Sequence, residues 1–395
     1  MITTRTNTAD LDLFSDEALA DPHPHYAALR EQAAVVHLPK TGHAGVWAVT
    51  RYEQIRRALA DTKVFSSKSV AFNDQLNAGL ASTVFGSDPP DHRRLRAATM
   101  EHLTPRALRG LADEIGKKAD AIVADLVERG RFDAITDLAQ PLPIAVVMDF
   151  VGVQGEVREK MLGWGSAAFN VMGPMNERTI ENFPIAGELT VWLSQLEAGE
   201  LAEGSIGRAI LDAGNRGEIP PETGHAVIQQ YVAAGLDSTV AAIGNVIALL
   251  AANPEQFALV RANPDLIPSA FNESVRYEAP APLTGRLVTE DTEIDGTVIP
   301  AGAQAAILFA AGNRDPRHYP DPERFDVTRK SLDNLAFGYG IHTCAGQGLA
   351  KLEAHAVIGA LARRVSRYTV GEGTRRINNS IRSLATLPVT SVEAA

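Results

Sequence analysis

The chain has 395 residues, 45% hydrophobic and 22% charged, so it can bury a large core and has the charge content of a soluble enzyme. A formal net charge of -11 argues against nucleic acid as a main partner, because phosphate recognition needs a concentrated basic surface. One cysteine excludes an intrachain disulfide and any four-cysteine zinc or iron–sulfur site within one chain.

The start, Met1-Ile2-Thr3-Thr4-Arg5, lacks the apolar core of a signal peptide. Pro24 to Ala33 reads as a helix, Val46 to Thr50 alternates like a short strand, and a second helix runs through Ile55 and Leu59. Ser66 to Pro90 is polar and glycine-containing and reads as a long loop, a kind of segment that is commonly functional. Asp88-Pro89-Pro90 then starts a helix that sets His92 and Arg96 on one face. From Pro105 to Gly130, Leu108, Leu111, Ile115, Ala119, Ile122 and Leu126 keep helical spacing, and helices continue through Val151 to Leu201.

The longest predicted helix runs from Pro221 to Asn253 and is stopped by Pro254. Its most apolar stretch, Val240 to Ala252, falls short of the roughly 18 residues of a membrane span. A helix after Pro264 carries Glu273 and Arg276 three apart; strands follow at Leu283–Val288, Thr297–Ile299 and Ala305–Phe309. The last helix, Gln347 to Val365, precedes a tail with two short strands. With no linker, charge block or low-complexity run, residues 1–395 read as one mainly α domain with a minor β-sheet, soluble, cytoplasmic and monomeric.

Chemistry concentrates in Phe337-Gly338-Tyr339-Gly340-Ile341-His342-Thr343-Cys344-Ala345-Gly346. Phe337 offers a packing wall, the glycines let the backbone turn tightly, and Gly346 opens an apolar helix whose free amides favour a thiolate at Cys344. A lone cysteine is ordinarily a small buried apolar residue, but the ten residues together match Phe-x-x-Gly-x-(His/Arg)-x-Cys-x-Gly. The segment resembles the haem-binding loop of the cytochrome P-450 superfamily, in its soluble bacterial three-component type.

That resemblance covers essentially the whole chain. It implies the α-rich P-450 fold, haem b with Cys344 as axial thiolate and only metal ligand, and O₂ as oxidant. It assigns propionate contacts to His92, Arg96, Arg286 and His342, and haem packing to Gly235, Phe337 and Gly346. Glu273 and Arg276, with Arg324 from Asp321-Pro322-Glu323-Arg324-Phe325, resemble the family's buried triad bracing the cysteine loop. In Ala234-Gly235-Leu236-Asp237-Ser238-Thr239 it implies a break in the long helix where O₂ binds, with Asp237, Ser238 and Thr239 delivering protons. Ser238 stands where family members usually carry threonine; it keeps the hydroxyl and loses the methyl that fixes its rotamer.

For substrate, Phe169 to Pro174 and the tail from Arg375 onward resemble the branch that O-demethylates or hydroxylates para-substituted benzoates. Candidate contacts are Lys68, Phe169, Met172, Gln230, Ala234, Thr284 and Gly285. Several depart from the branch: Lys68 replaces an arginine, Gln229-Gln230 an Arg-Ser pair, and Met172 and Gly285 bulky aromatics, so Gly285 is expected to widen the cavity. The resemblance further implies a [2Fe–2S] ferredoxin and its NAD(P)H reductase, docking where Arg93, Arg94, Arg106 and Lys351 supply positive charge. A haem-thiolate peroxygenase or isomerase, or a non-catalytic haem sensor, are the other readings these residues allow.

Overall fold

A computed structural model describes residues 7–395, apart from the side chains of residues 221 and 222. The opening segment on which the absence of a signal peptide rests lies outside the described residues. Helix α1 (Pro22–Gln32) leads into strands β1 (Val35–Leu38) and β2 (Val46–Val49), helix α2 (Tyr52–Ala60) and the short β3 (Phe65–Ser66). β1 was not anticipated: its four residues are too few to show an alternation.

The Ser66–Pro90 segment is not a bare loop. It holds a 3₁₀ turn at Ser67–Ser69 and a helix at Asp74–Leu80, capped by the Asn73 side chain on the Leu76 amide, 2.8 Å. Next come α3 (Asp91–Met100), a single turn at Pro105–Arg109, and α4 (Ala112–Arg129), so the predicted Pro105–Gly130 helix is two pieces divided around Gly110. Helices α5 (Pro141–Val151), α6 (Val157–Asn170) and α7 (Glu177–Gln195) follow.

The long helix is interrupted as expected, into α8 (Pro221–Gly235) and α9 (Asp237–Ala252), with Leu236 between them at φ -89°, ψ -74°. Helix α9 is apolar around nearly its whole circumference and buries Val240 through Ile247 without a gap, the pattern of a central core helix. Two stretches, Ala134–Val151 and Thr223–Ala252, are in fact long and apolar enough to cross a membrane, against the sequence-based expectation. Most of each is buried against the rest of the chain, which accounts for its hydropathy.

Helix α10 (Ile267–Tyr277) precedes β4 (Thr284–Val288) and β5 (Gln304–Ile307), and α11 (Gln347–Arg364) follows the cysteine. The main sheet has the order β1-β2-β5-β4-β3. All its neighbours are antiparallel except β2 and β5, where Trp47 pairs with Ala305. A parallel pair needs a crossover, and here the crossover contains most of the helices. The tail forms four strands, not two, at Val365–Val370, Thr374–Arg376, Ser383–Thr386 and Pro388–Ala394.

Glu273 and Arg276 form a two-pronged ion pair, 2.7 and 2.8 Å, with both side chains fully buried. Arg276 also donates to the carbonyls of Asn313 and Pro322, and the Asn313 side chain accepts from the Leu335 amide at 2.6 Å. The network thus reaches the residues just before Phe337. Its third side chain is Arg329, whose Nε donates to Glu273 Oε1 at 3.1 Å, and not Arg324. The Arg324 side chain is 69% exposed and pairs with Asp326; only its carbonyl joins the network, accepting from Arg329. Two arginines five residues apart are both in reach of α10 by sequence, and only the turn between them decides which points inward.

Candidate functional site

Cys344 hangs from a loop pinned at both ends. Gly338 and Gly340 take φ +71° and +75°, conformations open to glycine, and a Cβ on Gly340 would meet the Leu59 carbonyl at 2.8 Å. The Cys344 amide donates to the Phe337 carbonyl at 2.8 Å, and α11 starts after Gly346. The sulfur faces a cavity of about 1840 Å³, its open mouth included. Cys344 is surface-accessible only in the sense that it faces this space, being otherwise surrounded by protein.

Burial pushes its thiol pKa up, outweighing the amides of Gly346 and Gln347 and the charges of Arg96 and Lys351. The expected lowering by the helix start is therefore not realised in the chain alone. A thiolate at this depth calls for a cation bound directly to it.

Positive and imidazole groups crowd one edge of the cavity. Arg96 on α3 donates to the Thr343 carbonyl at 2.6 Å, and Arg286 on β4 to the Gly285 carbonyl at 2.7 Å. His342 meets the Ser67 hydroxyl at 2.9 Å and packs against His92 with ring centres 4.3 Å apart and planes inclined by 57°. Burial, then Arg286, His92 and Arg96, hold His342 down to about 3, while burial lowers Arg286 to about 10. Both ring nitrogens of His92 are buried without a partner. His92 does not itself line the cavity but stands behind His342, one step further out than expected. Donors packed together with so little anionic compensation suit a ligand with negative charge at that edge.

Opposite the cysteine, Ala234, Gly235, Ser238 and Thr239 line the cavity where α8 gives way to α9. The Ser238 hydroxyl donates to the Ala234 carbonyl at 2.8 Å, as a serine within a helix does. Thr239 is buried, lines the cavity and makes no side-chain hydrogen bond. Asp237 is a correction: fully buried, it lies off the cavity and pairs with Arg376, which also bonds Ser383. Burial raises its carboxyl, Arg376 opposes that, and Oδ2 has no partner. As first residue of α9 it leaves the axis on the side of the tail strands, a direction no spacing rule reveals.

Phe169, Met172, Gln230 and Thr284 line the cavity as expected. Lys68 does not: it is exposed on the Ser67–Ser69 turn. Gly285 does not either, because its missing Cβ would point at the Ser69 carbonyl, 2.3 Å away. Its amide donates to the Val70 carbonyl, so this glycine lets β4 approach the 69–70 backbone and does not widen the cavity. Lys351, expected on a docking surface, is half-buried over the Phe337 ring at 5.1 Å. Thr99, Val84, Phe85, Tyr231 and Ser380 also line the cavity and were missed, since nothing local in sequence aims the α3 face or the tail inward.

A single thiol on the floor, Phe337 and Leu349 as walls, small residues at the helix break and a cationic edge fit a haem with two carboxylates. A helical fold around such a cavity defines a class, and comparison names it: the chain belongs to the cytochrome P450 family and is a P450 monooxygenase. The family profile described as Cytochrome P450 matches residues 209–389. Cytochrome p450 CYP199A2 of Rhodopseudomonas palustris is 36% identical over 386 residues, 96% of this chain and 93% of that protein. Vitamin D(3) 25-hydroxylase of Pseudonocardia autotrophica is 31% identical, covering 99% of this chain and 98% of the relative. Among solved structures, CYP109Q5 from Chondromyces apiculatus superposes with TM-score 0.79 at 28% identity, over 98% of this chain and 99% of that one.

Proposed function

We propose that this single-domain P450 monooxygenase inserts one oxygen atom into a C–H bond of a small methoxylated aromatic, by hydroxylation or oxidative O-demethylation. The observation that carries this reading is a largely apolar cavity with Cys344 on one side and the α8–α9 break on the other, walled by Phe169, Met172, Phe150 and Leu283. A haem bound there would supply O₂ activation at its iron, with one oxygen atom entering the C–H bond and the other leaving as water.

The chain's own residues hold and orient. Cys344 offers the thiolate, and Arg96, Arg286 and His342 face the propionate edge. Phe337 packs beneath, while Ala234 and Gly235 leave room for a small ligand beside the break. The free Thr239 hydroxyl and the Ser238 hydroxyl are the proton donors within the cavity. Asp237, clamped by Arg376 off the cavity, anchors the start of α9 from behind the helix. Oxidation of a methyl ether gives a hemiacetal, which collapses to a phenol and formaldehyde.

Electrons come from NAD(P)H through a separate reductase and a [2Fe–2S] ferredoxin in the cytoplasm. Its docking site is the cysteine side, where Arg93, Arg94 and Arg106 are exposed. The Pro105–Arg109 turn abuts the cysteine helix, since a Cβ on Gly348 would meet Leu108 at 2.8 Å. The test is a screen of methoxylated aromatics for the spin-state shift that follows loss of iron-bound water, then NADH-driven turnover with a surrogate ferredoxin. Stoichiometric formaldehyde from a methoxy ring supports the reading; no shift with any ring refutes it.

A further inference from the structure

The cavity carries no cation for a substrate carboxylate. Among the described residues, its charged or imidazole side chains are Arg96, Arg286, His342 and Glu353. Arg96 is bonded to the residue before Cys344, and Arg286 and His342 belong to the same edge, the one that suits the propionates. Glu353 is an acid on the helix after the cysteine. Lys68 is outside, and Arg376 is held by Asp237 and Ser383. What remains above the cysteine is uncharged: Thr99, Gln230, Ser238, Thr239, Thr284 and Ser380.

Four of these six are already engaged, and Thr239, the other free hydroxyl, sits at the α8–α9 break, where it is assigned to proton delivery. Gln230 donates to the Ala226 carbonyl and accepts from Thr99, Ser238 donates to Ala234, and Thr284 accepts from Arg286. The Ser380 hydroxyl has no protein partner, although the residue is only 7% exposed and lines the cavity. Its backbone is fixed: the amides of Ser380 and Ile381 both donate to Asn378 Oδ1, at 2.9 and 3.1 Å. Asn378 in turn donates to the Ser166 carbonyl, and Arg382 N to the Pro280 carbonyl at 2.8 Å. A rigidly held, unpartnered hydroxyl facing an apolar space costs stability unless a ligand or water satisfies it.

We infer that Ser380 is a specificity-determining anchor, and that the cavity takes a neutral aromatic bearing an uncharged hydrogen-bonding group and rejects the matching carboxylate. This rests on the aromatic reading above. A carboxylate would enter an apolar space without a counter-charge, which is far costlier than burying a satisfied amide or phenol.

Spin-state titrations of the haem-loaded protein with anisole, 4-methoxybenzamide and 4-methoxybenzoate test it, in wild type, Ser380→Ala and Ser380→Thr. The amide should bind about 3- to 10-fold tighter than anisole, the scale of one net hydrogen bond, and the benzoate at least about a hundredfold weaker than the amide. Ser380→Ala should remove the amide's advantage and leave anisole unchanged, while Ser380→Thr retains it. Benzoate binding as tightly as the amide, or Ser380→Ala weakening anisole equally, overturns the inference while anisole binding leaves the aromatic reading intact. No response to any ring, in protein with an intact ferrous-carbonyl band, overturns both.

Discussion

Below the cavity, Cys344 sits in a loop whose turns are set largely by local residues: two left-handed glycines, one amide-to-carbonyl bond back to Phe337, and a helix that starts three residues later. Above it, the lining comes from the segment before α3, from α3, α6, the α8–α9 break, β4 and the tail, up to 296 residues apart between Val84 and Ser380. The lower side is short-range and chemically constrained, because one sulfur must face one place. The upper side is assembled by tertiary packing, and its chemistry can change residue by residue while the fold stays the same.

The largest effect that sharpens this contrast lies in the brace behind the loop. Glu273→Ala leaves Arg276 buried without its partner, and a loss of about 3–5 kcal/mol is expected in chemical unfolding. Arg329→Ala should cost more than Arg324→Ala, which is expected within about 0.5 kcal/mol of wild type because that side chain is exposed. Equal losses from the two arginines would restore the sequence-based assignment.

Glu353, fully buried with Oε2 unpartnered, is pushed up to about 8 by burial. At neutral pH the folded chain keeps this proton and the unfolded chain releases it. Stability should therefore fall as pH rises from the ordinary carboxylate range toward 8, by about 1.4 kcal/mol per unit at most. Glu353→Gln should flatten that slope in unfolding titrations at pH 5 and 8. An unchanged slope would mean that Glu353 is not held protonated.

A smaller effect separates cavity from backbone at β4. Gly285→Ala should destabilise by about 1–3 kcal/mol, since its Cβ must displace the Ser69 carbonyl, and should weaken large and small aromatic ligands alike. Selective loss of bulky rings would return Gly285 to the cavity wall. Smallest of all, Lys68→Ala should leave ring affinities within about 0.5 kcal/mol of wild type in spin-state titrations.

Legibility in the sequence follows the same division. The cysteine loop, the interrupted helix at Leu236 and the helices from Tyr52 to Ala60 and Gln347 to Arg364 were readable because periodicity, caps and glycines act within a few residues. Helix Asp74–Leu80 was hidden by its polar composition, since none of its residues is buried and no apolar stripe marks it. Asp237, Gly285 and Lys68 were placed in the right segments but on the wrong sides. Their directions depend on Arg376, on Ser69 and on a 3₁₀ turn, all contributed by packing across the fold. Ser380 was invisible for the same reason: only its cavity and its lack of a partner distinguish it from any other tail serine.

The central claim is that Cys344 provides the thiolate to a haem iron in this cavity. The ferrous-carbonyl spectrum of purified wild type and Cys344→Ser, each reconstituted with haem, tests it directly. The wild type should show the red-shifted Soret band of a thiolate-bound haem, and the serine variant, with a poor donor in its place, should lose that band. Persistence of the red-shifted band in Cys344→Ser would contradict the assignment.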